Sequence, residues 1–331
     1  MKTIADTLES LCLGQPASFL NLTIFPLIGQ GSFQRNYVTL RDAIQAGTAS
    51  VREISRDGSV PELMLENSGR QSVLVLDGEE LIGAKQNRTA NVTILAPAGK
   101  TLRIPVACVE AGRWHDQGRE FASSEQVHFS RGRAARMASV SGSLRRTGSR
   151  QADQAEVWDE IADKCVRMSV QAPTSAMLDV FETHRTRVED YVGAFRAEPE
   201  QTGAVFAIGD KVEGLELFDC PQTLAEMLPK LIRSYAIDAV ESIGSHRCNP
   251  SAENASAFLS RLRSGEFETY TAVGEGTEVR SSAPGVIAGG LVAEGRVVHL
   301  AAFSAPTGAP RPDRDSRGFA RFRTRRHRMG R

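Results

Sequence analysis

The sequence has no Gly-rich phosphate loop, no nucleophile elbow and no His-Glu-x-x-His stretch. That removes the best-marked nucleotide-hydrolase, α/β-hydrolase and zinc-protease chemistries. Its five cysteines, Cys12, Cys108, Cys165, Cys220 and Cys248, stand singly without a Cys-x-x-Cys. Neither a disulfide framework nor a zinc ribbon is expected from them, and reduced thiols in a cytoplasm are. No run approaches the roughly 18 apolar residues of a membrane span. The opening MKTIADTLESLCLG carries Asp6 and Glu9 where a secretory leader needs an unbroken apolar core. There is no net charge either, with 40 Lys and Arg against 40 Asp and Glu, so the whole surface gives no argument for nucleic acid or anionic membrane. The balance is uneven along the chain, because residues 306–331 hold nine Arg against Asp313 and Asp315.

What remains is a globular chain whose 41% hydrophobic content can fill a core. Ile4, Leu8 and Leu11 predict a short opening helix, and Phe19 to Leu27 a first strand. Thr39 can cap a helix from Leu40 to Ala46. Strands are predicted at 51–54, 62–65, 73–76, 92–95 and 102–109, at 204–208 and 215–218 around the turn Gly209-Asp210-Lys211, and at 267–273, 286–292 and 297–303. Helices are predicted over 151–168, 174–196, 221–241 with a kink or restart at Pro229, and 252–263 behind a Ser251 cap. Residues 118–150 read as mostly loop, with a short helix near 133–144. The expected fold is α+β, a bent or sandwich-like, mainly antiparallel sheet with a helical layer from the middle of the chain. Two β-rich lobes separated by the helical pair are the alternative. Residues 1–304 are expected to be one domain and 305–331 a basic, disordered tail. Phe319 and Phe322 among its arginines give the tail a weak capacity for nucleic acid; a solvated extension is the simpler reading. The early strands are joined by turns, which argues against a dinucleotide-binding Rossmann domain.

The chemically dense stretch is residues 72–114. Lys85 and Arg88 are cations three apart, flanked by the amides of Gln86, Asn87 and Asn91, the inventory that holds phosphate charge and sugar hydroxyls. Glu79, Glu80 and Glu110 offer acceptors for ribose, or a general acid and base if two of them face one bond. Arg113 and Trp114 follow a strand end, where an arginine can meet an anion and an indole can stack on a ring. The opposing reading is a polar connection whose charges pair with one another. Glu125 and His128 lie three apart without a second ligand pair, so no metal is expected, and no cofactor. His184 reads as a core histidine, and His246 with Cys248 as a solvated turn.

The stretches NLTIFPL (21–27), LDGEELIGAKQNR (76–88), IPVACVEAGRW (104–114), GLELFD (214–219) and SYAIDA (234–239) resemble the ARG and rhodanese-phosphatase-superfamily-associated protein domain, where ARG denotes ADP-ribosylglycohydrolase. The two central motifs are long and specific. The resemblance implies a setting among ADP-ribose- and NAD-processing enzymes, which would then be partners, and a nucleotide-type small molecule as ligand. It leaves two expectations open. One is a hydrolase, with Glu79, Glu80 and Glu110 catalytic and Lys85, Gln86, Asn87, Arg88, Asn91, Arg113 and Trp114 binding substrate. The other is a non-catalytic scaffold in the same pathway. The basic tail looks unlike the family.

Overall fold

The computed structural model describes residues 2–29, 34–55, 58–114, 118, 120–244 and 251–305. The first half of the chain runs α1 (Lys2–Ser10), β1 (Cys12–Leu13), β2 (Ala17–Phe19), β3 (Leu22–Ile28), β4 (Tyr37–Thr39), α2 (Leu40–Gln45), β5 (Ala49–Glu53), β6 (Glu62–Asn67), β7 (Ser72–Val75), β8 (Glu79–Gly83), β9 (Arg88–Ala90), β10 (Ile94–Ala96), β11 (Lys100–Cys108) and β12 (Glu120–Val127). Five of these strands enclose the polar stretch together with β12, closing a six-stranded antiparallel barrel in the order β11-β6-β5-β12-β8-β9. Val51, Leu63, Leu65, Leu81, Ala90, Ile104, Val106 and Phe121 belong to its core. Closure leaves no edge exposed, which is how short strands rich in polar residues stay paired. Beside the barrel, β10-β7-β4 form a small sheet in which β4 and β7 run parallel. Thr39 caps α2 as expected, its hydroxyl accepting from the Asp42 amide at 3.2 Å.

The second half continues α3 (Ser130–Thr147), α4 (Gln154–Arg167), α5 (Met177–Thr183), α6 (Arg185–Ala194), β13 (Gln201–Ile208), β14 (Lys211–Phe218), α7 (Pro221–Glu241), α8 (Ala252–Arg263), β15 (Phe267–Thr271), β16 (Thr277–Ala283), β17 (Val286–Ala293) and β18 (Arg296–Ser304). A nine-stranded antiparallel sheet joins both ends of the chain in the order β1-β3-β13-β14-β18-β17-β16-β15, with β2 also paired to β3. The apolar alternation of β3, β13 and β14 splits between two cores. Ile24, Phe206 and Phe218 face the helices α4 to α7 in one, and Phe25, Val205 and Leu215 face α1 and α8 in the other.

The α+β class and the antiparallel character therefore hold, with the strands divided among a sheet, a barrel and a small third sheet. Several local expectations change. In the stretch expected to be mostly loop, Glu120–Val127 form β12, and the short helix expected near 133–144 is the 18-residue α3. The single helix expected over 174–196 is interrupted at His184, whose φ of −108° and ψ of 16° leave the helical region. Helix α7 runs through Pro229 without a break, its stripe of Leu224, Leu228, Leu231, Ile232 and Tyr235 buried on both sides of the proline. Of the expected basic tail only Ala305 is described; its amide donates to the Gly285 carbonyl at 2.9 Å. Among the described residues no helix is long and apolar enough to cross a membrane.

Candidate functional site

One end of the barrel is built from the finish of β5, β8 and β11 and the start of β6, β9 and β12. The chain crosses this mouth between β8 and β9 as Ala84-Lys85-Gln86-Asn87. Ala84 adopts a φ of 40°, a left-handed conformation uncommon for a residue with a Cβ. The turn directs the Ala84 carbonyl to Arg113, whose Nη1 donates to it at 2.6 Å. Arg113 Nη2 also donates to Glu110 Oε2 at 2.7 Å and to Asn87 Oδ1 at 3.0 Å. Glu110 accepts further from the Asn87 amide and the Thr174 hydroxyl, at 3.1 and 3.0 Å. Burial raises the Glu110 pKa, but the Arg113, Asn87 and Thr174 bonds outweigh it and hold the carboxylate below its ordinary value.

Next to this closed triad the bonding is incomplete. Arg88 is fully buried; its Nη1 donates to Gln86 Oε1 at 3.0 Å, while its Nε and Nη2 have no hydrogen-bond partner among the described residues. The nearest carboxylate oxygen, Glu53 Oε1, is 3.9 Å from Nη2, and both Glu53 oxygens are likewise buried without a hydrogen bond. Burial lowers the Arg88 pKa. Over these groups lies Trp114, 47% exposed, with Arg88 5.7 Å and Lys85 5.6 Å from its ring centroid. A half-exposed indole therefore sits above a buried guanidinium with unused donors, beside a second cation and an unbonded carboxylate.

The remaining candidates are held elsewhere. Glu80, on β8 opposite Thr89, is fully buried. Its Oε2 accepts from Gln126 Nε2 at 2.9 Å and its Oε1 has no partner. Burial pushes its pKa up to about 7, and the Glu110 charge adds to the rise. Glu79 does not reach the mouth. It is tied to Lys230 of α7 at 2.8 Å and to Ser123 at 2.6 Å. Asn91, past the end of β9, donates to the Arg150 carbonyl at 3.0 Å. The pair Glu125 and His128 is divided: Glu125 is exposed and bonded to Arg41 at 2.9 Å, while His128 is buried against Arg136 at 3.1 Å. Among the described residues no group of three or more His, Cys, Asp or Glu side chains could hold a metal. His184 is half-buried at the α5–α6 junction, and His246 with Cys248 lies outside the described residues.

Sequence reasoning missed a second polar cluster, where α3 and β18 pack beside the barrel. Arg133 bonds Glu216 through both Nη atoms, at 2.5 and 3.2 Å. Glu216 also meets His299 Nε2 at 3.0 Å and accepts from the Tyr235 hydroxyl at 3.2 Å. His299 Nδ1 lies 2.7 Å from the Thr93 hydroxyl. Arg136 donates to Asp77 at 2.7 Å and to Thr89 at 2.9 Å. Burial would raise the Glu216 pKa, yet Arg133 and His299 bring it below the ordinary value. Burial drives the His128 pKa well down, helped by Arg136 and Arg133. The available signal was Glu216 itself, a charged residue inside the apolar run GLELF.

Neither the curated proteins nor the solved structures contain a match to this chain. The profile of the ARG and Rhodanese-Phosphatase-superfamily-associated Protein domain does match, over residues 10–303. That span takes in the barrel, the large sheet and the mouth residues together, and the chain belongs to this family.

Proposed function

We propose that the barrel mouth binds an ADP-ribose-type nucleotide. The observation that carries this reading is the buried Arg88, whose Nε and Nη2 are unbonded beneath the exposed face of Trp114. An unmet guanidinium is costly to bury, and a phosphate or sugar oxygen would satisfy it. In the bound state Trp114 stacks on a flat ring, Arg88 and Lys85 take phosphate oxygens, and Glu53 accepts from ribose hydroxyls. Asn87, Gln86 and Arg113 position these groups through their bonds to Glu110 and Arg88.

The carboxylates supply the means for hydrolysis. Glu80, pushed up to about 7, keeps a proton near neutrality, and Glu110 stays ionised beside Arg113. Two carboxyls with these protonation states match the acid and base of glycosidic cleavage, and the role requires Glu80, held by Gln126 away from the mouth, to turn toward the bound ligand. Glu79, neutralised by Lys230, and Asn91, held by Arg150, serve structure in this reading.

The second reading is a non-catalytic scaffold, and it rests on the Glu110–Arg113–Asn87 triad being satisfied internally. Calorimetric titration of the full chain with ADP-ribose and NAD, followed by chromatography of the recovered ligand, separates the two. Saturable binding that is weakened in Lys85→Ala supports the nucleotide site, and a new product absent with Glu80→Gln makes it an enzyme. No heat with either ligand, from a folded protein, leaves the scaffold.

A further inference from the structure

A separate cavity of about 310 Å³ lies at one end of the nine-stranded sheet, lined on one side by α1. It opens where β3 and β14 finish and β13 and β18 begin. Its volume is at the small end of the range for ligand sites, roughly 300–1,000 Å³. Two buried polar atoms in its lining have no hydrogen-bond partner among the described residues: Thr202 Oγ1 and Asp219 Oδ2. Thr202 is 5% exposed and Asp219 8%.

The backbone holds the Thr202 hydroxyl apart from the ladder's own hydrogen bonds. The pairing of β13 with β3 slips between Gln201 and Gly203, so Thr202 is the extra residue of a bulge, a device that re-aims a side chain. Opposite it stands Gly29, where a Cβ would come within 2.8 Å of Thr202 Oγ1. A side chain there would press on the hydroxyl, which is itself buried at the edge of the cavity. Asp219 is fixed through its other oxygen, which accepts from the Tyr37 hydroxyl at 2.6 Å.

The charges constrain what fits. Arg296 Nη1 is 3.6 Å from Asp219 Oδ2, so the pair is close to neutral and offers a cation little net attraction. Asp219 together with Asp6 on the rim disfavours an anion. An acceptor, a hydroxyl that donates or accepts, and apolar walls from Leu217 and Phe218 suit a molecule carrying hydroxyls around an apolar ring face. We propose that this cavity is a second small-molecule site, taking a neutral polyhydroxylated ligand of monosaccharide size. It shares no residue with the barrel mouth, and its test is independent of the nucleotide reading.

The experiment is ligand-observed NMR titration of the full chain with D-ribose, D-glucose, methylammonium and inorganic phosphate. Thr202→Val and Gly29→Ala are titrated alongside. Thr202→Val removes a hydroxyl that has no hydrogen bond among the described residues, so it should fold as the parent does. Gly29→Ala instead covers the hydroxyl with a methyl group. Saturable binding of a sugar, weakened about tenfold in both variants, is the expected result. The proposal is overturned if neither sugar binds saturably, if sugar binding is equal in parent and variants, or if methylammonium or phosphate binds more tightly than the sugars.

Discussion

The barrel mouth and the cluster around Glu216 are both buried, both rich in arginine and acid, and differ in how completely they close. In the Glu216 cluster each guanidinium meets a carboxylate at hydrogen-bond distance, Arg133 on Glu216 at 2.5 Å and Arg136 on Asp77 at 2.7 Å, and leaves only its Nε unbonded. At the mouth Arg88 leaves two nitrogens without a hydrogen bond among the described residues and stands 3.9 Å from a carboxylate that has no hydrogen bond there either. The first arrangement returns the desolvation cost of its charges within the fold. The second leaves that cost outstanding until something else arrives. Buried charge alone is therefore no mark of a site, and the proposed site rests instead on buried charge with unused hydrogen-bonding capacity beside an exposed aromatic.

The comparison breaks most visibly at Glu216. Glu216→Ala leaves Arg133 buried without its partner and also removes an acceptor from Tyr235 and His299. A loss of about 3–5 kcal/mol is expected for breaking a buried pair on one side, read from the urea midpoint and slope. A loss below about 1 kcal/mol would show that the cluster does not depend on closure.

Glu80 sharpens the comparison through pH. Its pKa is raised from 4.5 to about 7 by burial, so the folded protein holds a proton that the unfolded chain has already released. Stability from this group is therefore full below about 4.5, falls as pH climbs toward 7, and stays low above that. The window corresponds to on the order of 3 kcal/mol. In Glu80→Gln this fall should be absent, so urea curves for the two proteins diverge between pH 4.5 and 7. Parallel curves would mean that Glu80 ionises as it does in the unfolded chain.

Arg88→Met tests the open side directly. Arg88 loses only a long ion pair to Glu53, at 3.9 Å, and one bond to Gln86, so Arg88→Met should cost less than Glu216→Ala, about 1–2 kcal/mol, while nucleotide affinity falls about thirty-fold with the loss of a charged hydrogen bond. Large destabilisation with unchanged affinity would move Arg88 into the structural class and the mouth with it.

The same contrast explains what could be read from the sequence. The apolar strands, the hairpin of β13 and β14 and the capped helices α2 and α8 follow from periodicity, Gly and cap residues. The chain escaped that reading in several elements that bury charge, although β14, α4 and α7 were legible despite Glu216, Lys164 and Asp238. In α3 the inward face holds Ser130, Arg133, Arg136 and Ser141, so its hydropathy resembles a loop. In β16, Glu278 and Arg280 pair at 2.6 Å inside the sheet. Strands β8 and β9 bury Glu79, Glu80, Arg88 and Thr89 on their two faces and read as a polar connection. The density of the 79–114 stretch was legible as a candidate site, but not its division into mouth, flank and core. That division depends on Lys230, Gln126 and Glu53, none of them adjacent in the chain to the groups they meet.

The smallest effect expected is at Trp114, and it asks whether the exposed face is used. The indole contributes little to the fold, being 47% exposed, so Trp114→Ala should change stability by no more than about 0.5 kcal/mol. Stacking on a nucleotide base is worth roughly 1–3 kcal/mol, which makes a loss of about tenfold in affinity the expected outcome by calorimetry. Trp114→Phe should recover most of it, because a phenyl ring keeps a stacking face. The ring also lies over Lys85 and Arg88, so its removal could act by freeing those cations to move. Salt separates the routes. A stacking loss is the same at low and high ionic strength, whereas a loss through the cations shrinks as screening weakens their hold on phosphate. An affinity unaffected by Trp114→Ala would leave the aromatic as a cover for the arginine, and the open side of the comparison would rest on Arg88 and Glu53 alone.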